Sequence, residues 1–221
     1  MLKKSVIVCS IVSVLFSHSA FSGPSEDAVS RGIASVQKND YDAAIKEFKS
    51  ALRLDPKNSK VFFLLSLVYA NKGDFDQALK FSRDSVAIEP SFAAFQNIGR
   101  LYAGKGDYAN ALDAYQSALK LNAASATGWY ELGLLSAGTA HFDEAITAYK
   151  KALELNPRLD KAYLGLGSAY YWSGNKASAV EQVKKLRELK DTMNAEALES
   201  WINNKESLKK EAAPKTPPMK E

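Results

Sequence analysis

Cysteine is nearly absent from this chain, with Cys9 as the single example. It lies inside an apolar run that continues well beyond it. It therefore reads as a small apolar residue, since a lipid-acceptor cysteine would end such a run. No other thiol is present to build a disulfide or a nucleophile. Histidine is scarce too: His18 and His141 are the only two, and no His-x-x-x-His spacing occurs. That composition leaves nothing from which to build a zinc site. No N-x-S/T sequon is found, so nothing points to glycosylation. The net charge is only +4, and no basic stripe is interleaved with aromatics. Nucleic acid is therefore not an expected partner. Long apolar runs are missing beyond residue 22. The longest is VFFLLSLVYA at 61–70, too short to cross a bilayer.

The first 22 residues are different material. Lys3 and Lys4 precede an almost wholly apolar stretch from Ser5 to Phe16, and Ala20-Phe21-Ser22 puts small residues at a cleavage position before Gly23. This is the layout of a secretory signal peptide, with an uncleaved N-terminal anchor as the alternative. Export is expected, with the short Lys-Lys start favouring the periplasm. Cleavage removes two lysines and no acid, leaving +2 and no membrane span.

What the chain does have is repetition. Five segments align, starting at residues 25, 59, 92, 126 and 160, so successive starts lie 34, 33, 34 and 34 residues apart. Each holds two helix-length stretches joined by a polar turn. In the second stretch of the fourth copy, Ala145, Ile146, Tyr149, Ala152 and Leu153 fall on one face of an amphipathic helix. The turns NKGD, GKGD and SGN offer a glycine to end the first helix. Asp40, Asp74, Asp107 and Asn175 stand ready to cap the second. His141 occupies the same slot and reads as a turn residue able to cap. Pro56, Pro90 and Pro157 stop the second helix, while the third copy has Ala123 there.

The fourth copy carries Trp129, Leu132, Gly133, Ala145, Tyr149, Ala152 and Pro157. The third carries Phe95, Ile98, Gly99, Tyr102, Ala111, Tyr115 and Ala118. The second keeps Phe62, Leu65, Tyr69, Ala78 and Pro90, but Ser66 and Ser82 replace the glycine and the aromatic. The fifth keeps Tyr163, Leu166, Gly167, Tyr170 and Ala179 and then drifts. The first keeps Gly32, Ala44, Phe48, Ala51 and Pro56. On these residues the chain resembles the tetratricopeptide repeat family from residue 25 to about 191. The resemblance implies an all-α fold: a right-handed α-solenoid of about five tandem helix-turn-helix repeats, residues 23–191, in which stacking neighbours bury what one pair cannot. In the first copy Arg31 and Ser35 stand where leucine and tyrosine are usual, as expected of a face without a preceding repeat. After the last copy, Ala195, Leu198, Trp201 or Ile202, and Leu208 form a further stripe, read as a capping helix at 192–210. The polar, Pro-rich residues 211–221 are expected to be disordered.

No constellation supports catalysis, a metal or a cofactor. Gly165 and Gly167 spell G-x-G inside a helix and not after a strand, so no phosphate cradle follows. The resemblance instead makes the concave face the site and places the first helices along it. The second, fifth, ninth, twelfth and thirteenth positions of each copy, which share one helical face, line it. These positions include Val29, Ile33 and Val36; Phe63, Leu67 and Ala70; Gln96, Arg100 and Ala103; Tyr130, Leu134 and Ala137; and Leu164, Ser168, Tyr171 and Trp172. The chaperone-binding members of the family clamp a carboxylate with Lys, Asn and Arg. Here only Asn97 matches, beside Phe63, Leu67, Thr127 and Glu131, so no such clamp is expected. The groove is expected to receive an apolar or amphipathic segment of a protein or peptide partner through Phe63, Leu67, Gln96, Arg100, Tyr130, Leu134, Leu164 and Tyr171. The competing readings are packing within the chain and cover by its own C-terminal helix. Another is a self-associating or structural part of a secretion, pilus or polysaccharide-export machine. The last is a carbohydrate stacked on Tyr171 and Trp172.

Overall fold

A computed structural model describes residues 23–203. The signal segment, Leu208 and the tail lie outside them. The chain divides after Leu121 into two compact units. The first holds α1 (Pro24–Gln37), α2 (Tyr41–Leu54), α3 (Ser59–Lys72), α4 (Phe75–Ile88), α5 (Phe92–Lys105) and α6 (Tyr108–Leu121). The second holds α7 (Ala126–Gly138), α8 (Phe142–Leu155), α9 (Asp160–Trp172), α10 (Lys176–Glu188) and α11 (Thr192–Asn203). No strand occurs among the described residues. As expected, the fold is all-α and built from helix-turn-helix pairs. In the second unit the first helix α9 touches both α7 and α11, so these first helices stack in one row.

The turn chemistry is local and legible. Asp40 Oδ1, Asp74 Oδ1, Asp107 Oδ1 and Asn175 Oδ1 accept from backbone N–H groups three residues on, at 3.0–3.2 Å. His141 departs from this set: it makes no capping bond, and its Nδ1 lies 3.0 Å from Thr139 Oγ1. A short side-chain oxygen reaches back over the first turn where the imidazole does not. The helices α2, α4 and α8 end two residues before Pro56, Pro90 and Pro157. In the third pair, which has Ala123 instead, α6 ends at the matching residue. There the Asn122 side chain accepts from Ala124 N at 3.2 Å.

Three turns need a left-handed backbone and have glycine for it, at Gly73, Gly106 and Gly174. At the equivalent place in the fourth pair stands Ala140, with φ 61°. A Cβ in that conformation is sterically unfavourable. Ala140→Gly is expected to stabilise the second unit by about 1 kcal/mol. Urea denaturation checks this, through a higher midpoint at unchanged slope.

Within three of the pairs the helices approach through a glycine that receives an aromatic ring. A Cβ on Gly32 would lie 2.4 Å from the Phe48 ring; on Gly99, 2.9 Å from Tyr115; on Gly133, 2.7 Å from Tyr149. The Tyr149 ring is also flanked by α9, where a Cβ on Gly165 would lie 2.5 Å from it. All three rings are buried. Two pairs differ. In the fifth, Leu198 of α11 fills the notch at Gly167, at 2.3 Å from its notional Cβ, and α11 also buries Ala195. In the second, Ser66 Oγ and Ser82 Oγ lie 2.6 Å apart, and Asn97 Nδ2 of α5 donates to both at 2.8 and 2.9 Å.

At the N-terminus Arg31 does not simply meet water. Its Nε donates to Glu47 Oε2 of α2 at 2.8 Å, so the polar substitution serves the pair itself. Trp201 stays exposed on α11, while Ile202 joins the packing with Leu198.

Candidate functional site

In the first unit the predicted lining residues have unequal fates. Val36, Leu64 and Leu67 are buried in one cluster, and Val29, Ile33 and Phe63 pack against it half-buried. The inner faces of α1 and α3 thus join one core with Ala44, Phe48 and Ala51 of α2. Leu67 is 7% exposed, so a charge placed there would disturb the fold as well as any groove. Gln96 is buried and its Oε1 accepts from Arg100 Nη2 at 2.9 Å, one helical turn on, with Arg100 itself at the surface. Asn97 is buried with its amide nitrogen occupied by the two serines, so the one side chain matching a carboxylate clamp faces inward.

At the predicted lining positions the second unit leaves more apolar surface open. Tyr130 is half-buried with its ring 5.9 Å from that of Tyr149. Leu134, one helical turn further, is 47% exposed. It occupies the same position in its copy as Leu67 does in the second, so one site is solvated and the other is core. On α9, Leu164 packs with Val183, Leu186, Ala195 and Leu198, so the C-terminal helix takes up much of its surface. Tyr171 is buried and meets the Trp172 ring edge-on at 5.4 Å and 73°, while Trp172 is 45% exposed. Of the predicted lining residues in this unit, the open apolar ones are therefore Leu134 and Trp172, with Tyr130 one turn before Leu134 on α7. Trp172, a lining position that also pairs with Tyr171 in the sugar-stacking reading, is more accessible than Tyr171. Its place at the last turn of α9 was visible in the helical register, but its exposure was not.

The phenols of this face are neutral. Burial first, then the carboxylates of Glu131 and Asp160, raises the Tyr130 phenol above its ordinary range. Burial, with Tyr130 second, pushes Tyr149 further up. Both phenols stay protonated at neutral pH, so neither supplies a charge or a base. The exposed imidazole of His141 pairs with the Thr139 hydroxyl two residues before it, a turn contact and not a nucleophile–base arrangement. Among the described residues no group of three or more His, Cys, Asp or Glu is placed to hold a metal ion. No described helix is long and apolar enough to cross a membrane.

Comparison with known proteins agrees with the geometry. The family model described as TPR repeat matches residues 32–73, 99–137 and 141–174, and a second, described as Tetratricopeptide repeat, matches 59–92. The heat shock protein sti1 homolog of Schizosaccharomyces pombe is 32% identical over 102 residues, 46% of this chain and 17% of that protein. The chain spans less than a third of the length of the curated relatives it matches first. Among solved structures, MamA is 30% identical with a TM-score of 0.68, covering 73% of this chain and 95% of the other. PilW, a type IV pilus biogenesis factor, shares the fold at 19% identity and a TM-score of 0.70, covering 86% and 91%. With the helix pairs, the glycine–aromatic notches and more than half of the sequence matching one model, the chain belongs to the tetratricopeptide repeat family.

Proposed function

We propose that this is an exported, non-catalytic scaffold that holds an apolar or amphipathic segment of a partner protein on the first-helix face of its second unit. Tetratricopeptide repeat proteins are generally protein-interaction scaffolds, and no reactive constellation here argues otherwise. The export reading rests on the layout of residues 1–22. One observation carries the placement: Leu134 is 47% exposed at a position whose counterpart Leu67 is 7% exposed. An aliphatic side chain left in water beside an aromatic neighbour is the kind of anchor a partner buries. Trp172, in the same row of first helices, extends that surface, and aromatic side chains dominate binding energy where they are desolvated on contact.

The test is site-specific photocrosslinking in cells, with the crosslinking side chain at Leu134, at Trp172 and, as control, at exposed Lys151 on α8. The same protein adduct from Leu134 and Trp172, absent from Lys151, is the expected result. Adducts of equal strength from Lys151, or none from the two groove positions in folded protein, would remove the proposal.

A further inference from the structure

The buried polar cluster of Ser66, Ser82 and Asn97 has no part in the proposed binding face. Ser66 and Ser82 are 0% exposed and Asn97 is 6% exposed. Each hydrogen of the Asn97 amide goes to one serine, and the serines share a third bond. The cluster joins all three helices of one stacking step: α3 and α4 supply the serines, and the following first helix, α5, supplies the amide.

In the first and fourth pairs that place is apolar. The first pair has Gly32 and Phe48, with Leu64 of the next helix in the same core cluster. The fourth has Gly133 and Tyr149, with Gly165 of the next helix against the ring. Leu64, Asn97 and Gly165 hold the same position in their copies. Helix pairs of one length and one notch shape are close to interchangeable, and arrays of such pairs misassemble by stacking on the wrong neighbour or on another copy. At an aromatic notch the Asn97 amide would be buried without acceptors. At the serine pair Leu64 or Gly165 would bring no donor. Each error leaves a polar group desolvated and unpaired, which is costly.

We propose that Ser66, Ser82 and Asn97 form a register key that restricts α5 to the second pair. The key need not raise stability, because buried polar groups often hold one arrangement at some cost to stability. The test compares the full chain with the triple variant Ser66→Gly, Ser82→Phe, Asn97→Leu, which installs the residues of the first notch. Both are unfolded, refolded at high protein concentration and sized by light scattering, with helix content and thermal midpoint recorded. The triple variant is expected to keep its helix content and a similar or higher midpoint, yet to yield at least severalfold more intertwined dimer. Monomer recovered as cleanly as from the natural sequence would overturn the key. A second variant, Ser66→Ala, Ser82→Ala, Asn97→Leu, only deletes polar atoms and decides by the same readout if the ring of the first does not fit. Failure of both to fold would also overturn the proposal, because the cluster would then be needed for stability itself.

Discussion

Tyr149→Ala is expected to destabilise the second unit by about 3–5 kcal/mol, the cost of emptying a large buried aromatic site. The ring is 1% exposed and closes two helix approaches at once, with α7 at Gly133 and with α9 at Gly165. Neither glycine has a side chain that can swing into the vacated space. The cavity therefore persists unless whole helices move, which places the cost at the upper end. Ala145, Ala152, Ala162 and Leu166 share the cluster and lose packing together. Tyr149→Phe keeps the ring, and no hydrogen bond of its hydroxyl is seen, so its cost should stay within about 1 kcal/mol. Chemical denaturation followed by circular dichroism, with amide exchange to locate the loss, separates the two. A small effect of Tyr149→Ala would mean that the notch is not what holds these pairs together.

Much of this was readable in the sequence. The 33–34-residue spacing fixed the pairs, whereas the seating of an aromatic ring against Gly32, Gly99 and Gly133 emerges only from the structure. The Asp and Asn caps were equally local. His141 was not, because capping depends on side-chain reach as well as on the slot it occupies. The site was harder to read. Leu67 and Leu134 occupy one position in two copies and look alike in sequence, yet one is core and the other is solvated. The difference lies in what faces them: Leu67 lies in a cluster with residues of α1, whose inner face is itself aliphatic. Burial of a concave position thus depends on contacts between copies, which periodicity within one copy cannot report. Leu164 stands at a lining position too, and it is α11, outside its own copy, that covers it.

Leu134→Arg is the second large expectation. The side chain is exposed and sits mid-helix, and arginine is about as good a helix former as leucine, so stability should change by no more than about 0.5 kcal/mol. Binding should change far more. A desolvated aliphatic anchor replaced by a cation costs about 2 kcal/mol or more, roughly a thirtyfold rise in Kd. Leu67→Arg is the instructive contrast, since there the loss of fold comes first.

The central claim is tested most directly by titrating the partner identified by crosslinking against the natural chain and against Leu134→Arg, with matched unfolding curves. Affinity reduced roughly thirtyfold or more with the unfolding curve unchanged is the predicted result. Equal affinity for both folded proteins would contradict it and would move the interaction away from the first-helix face.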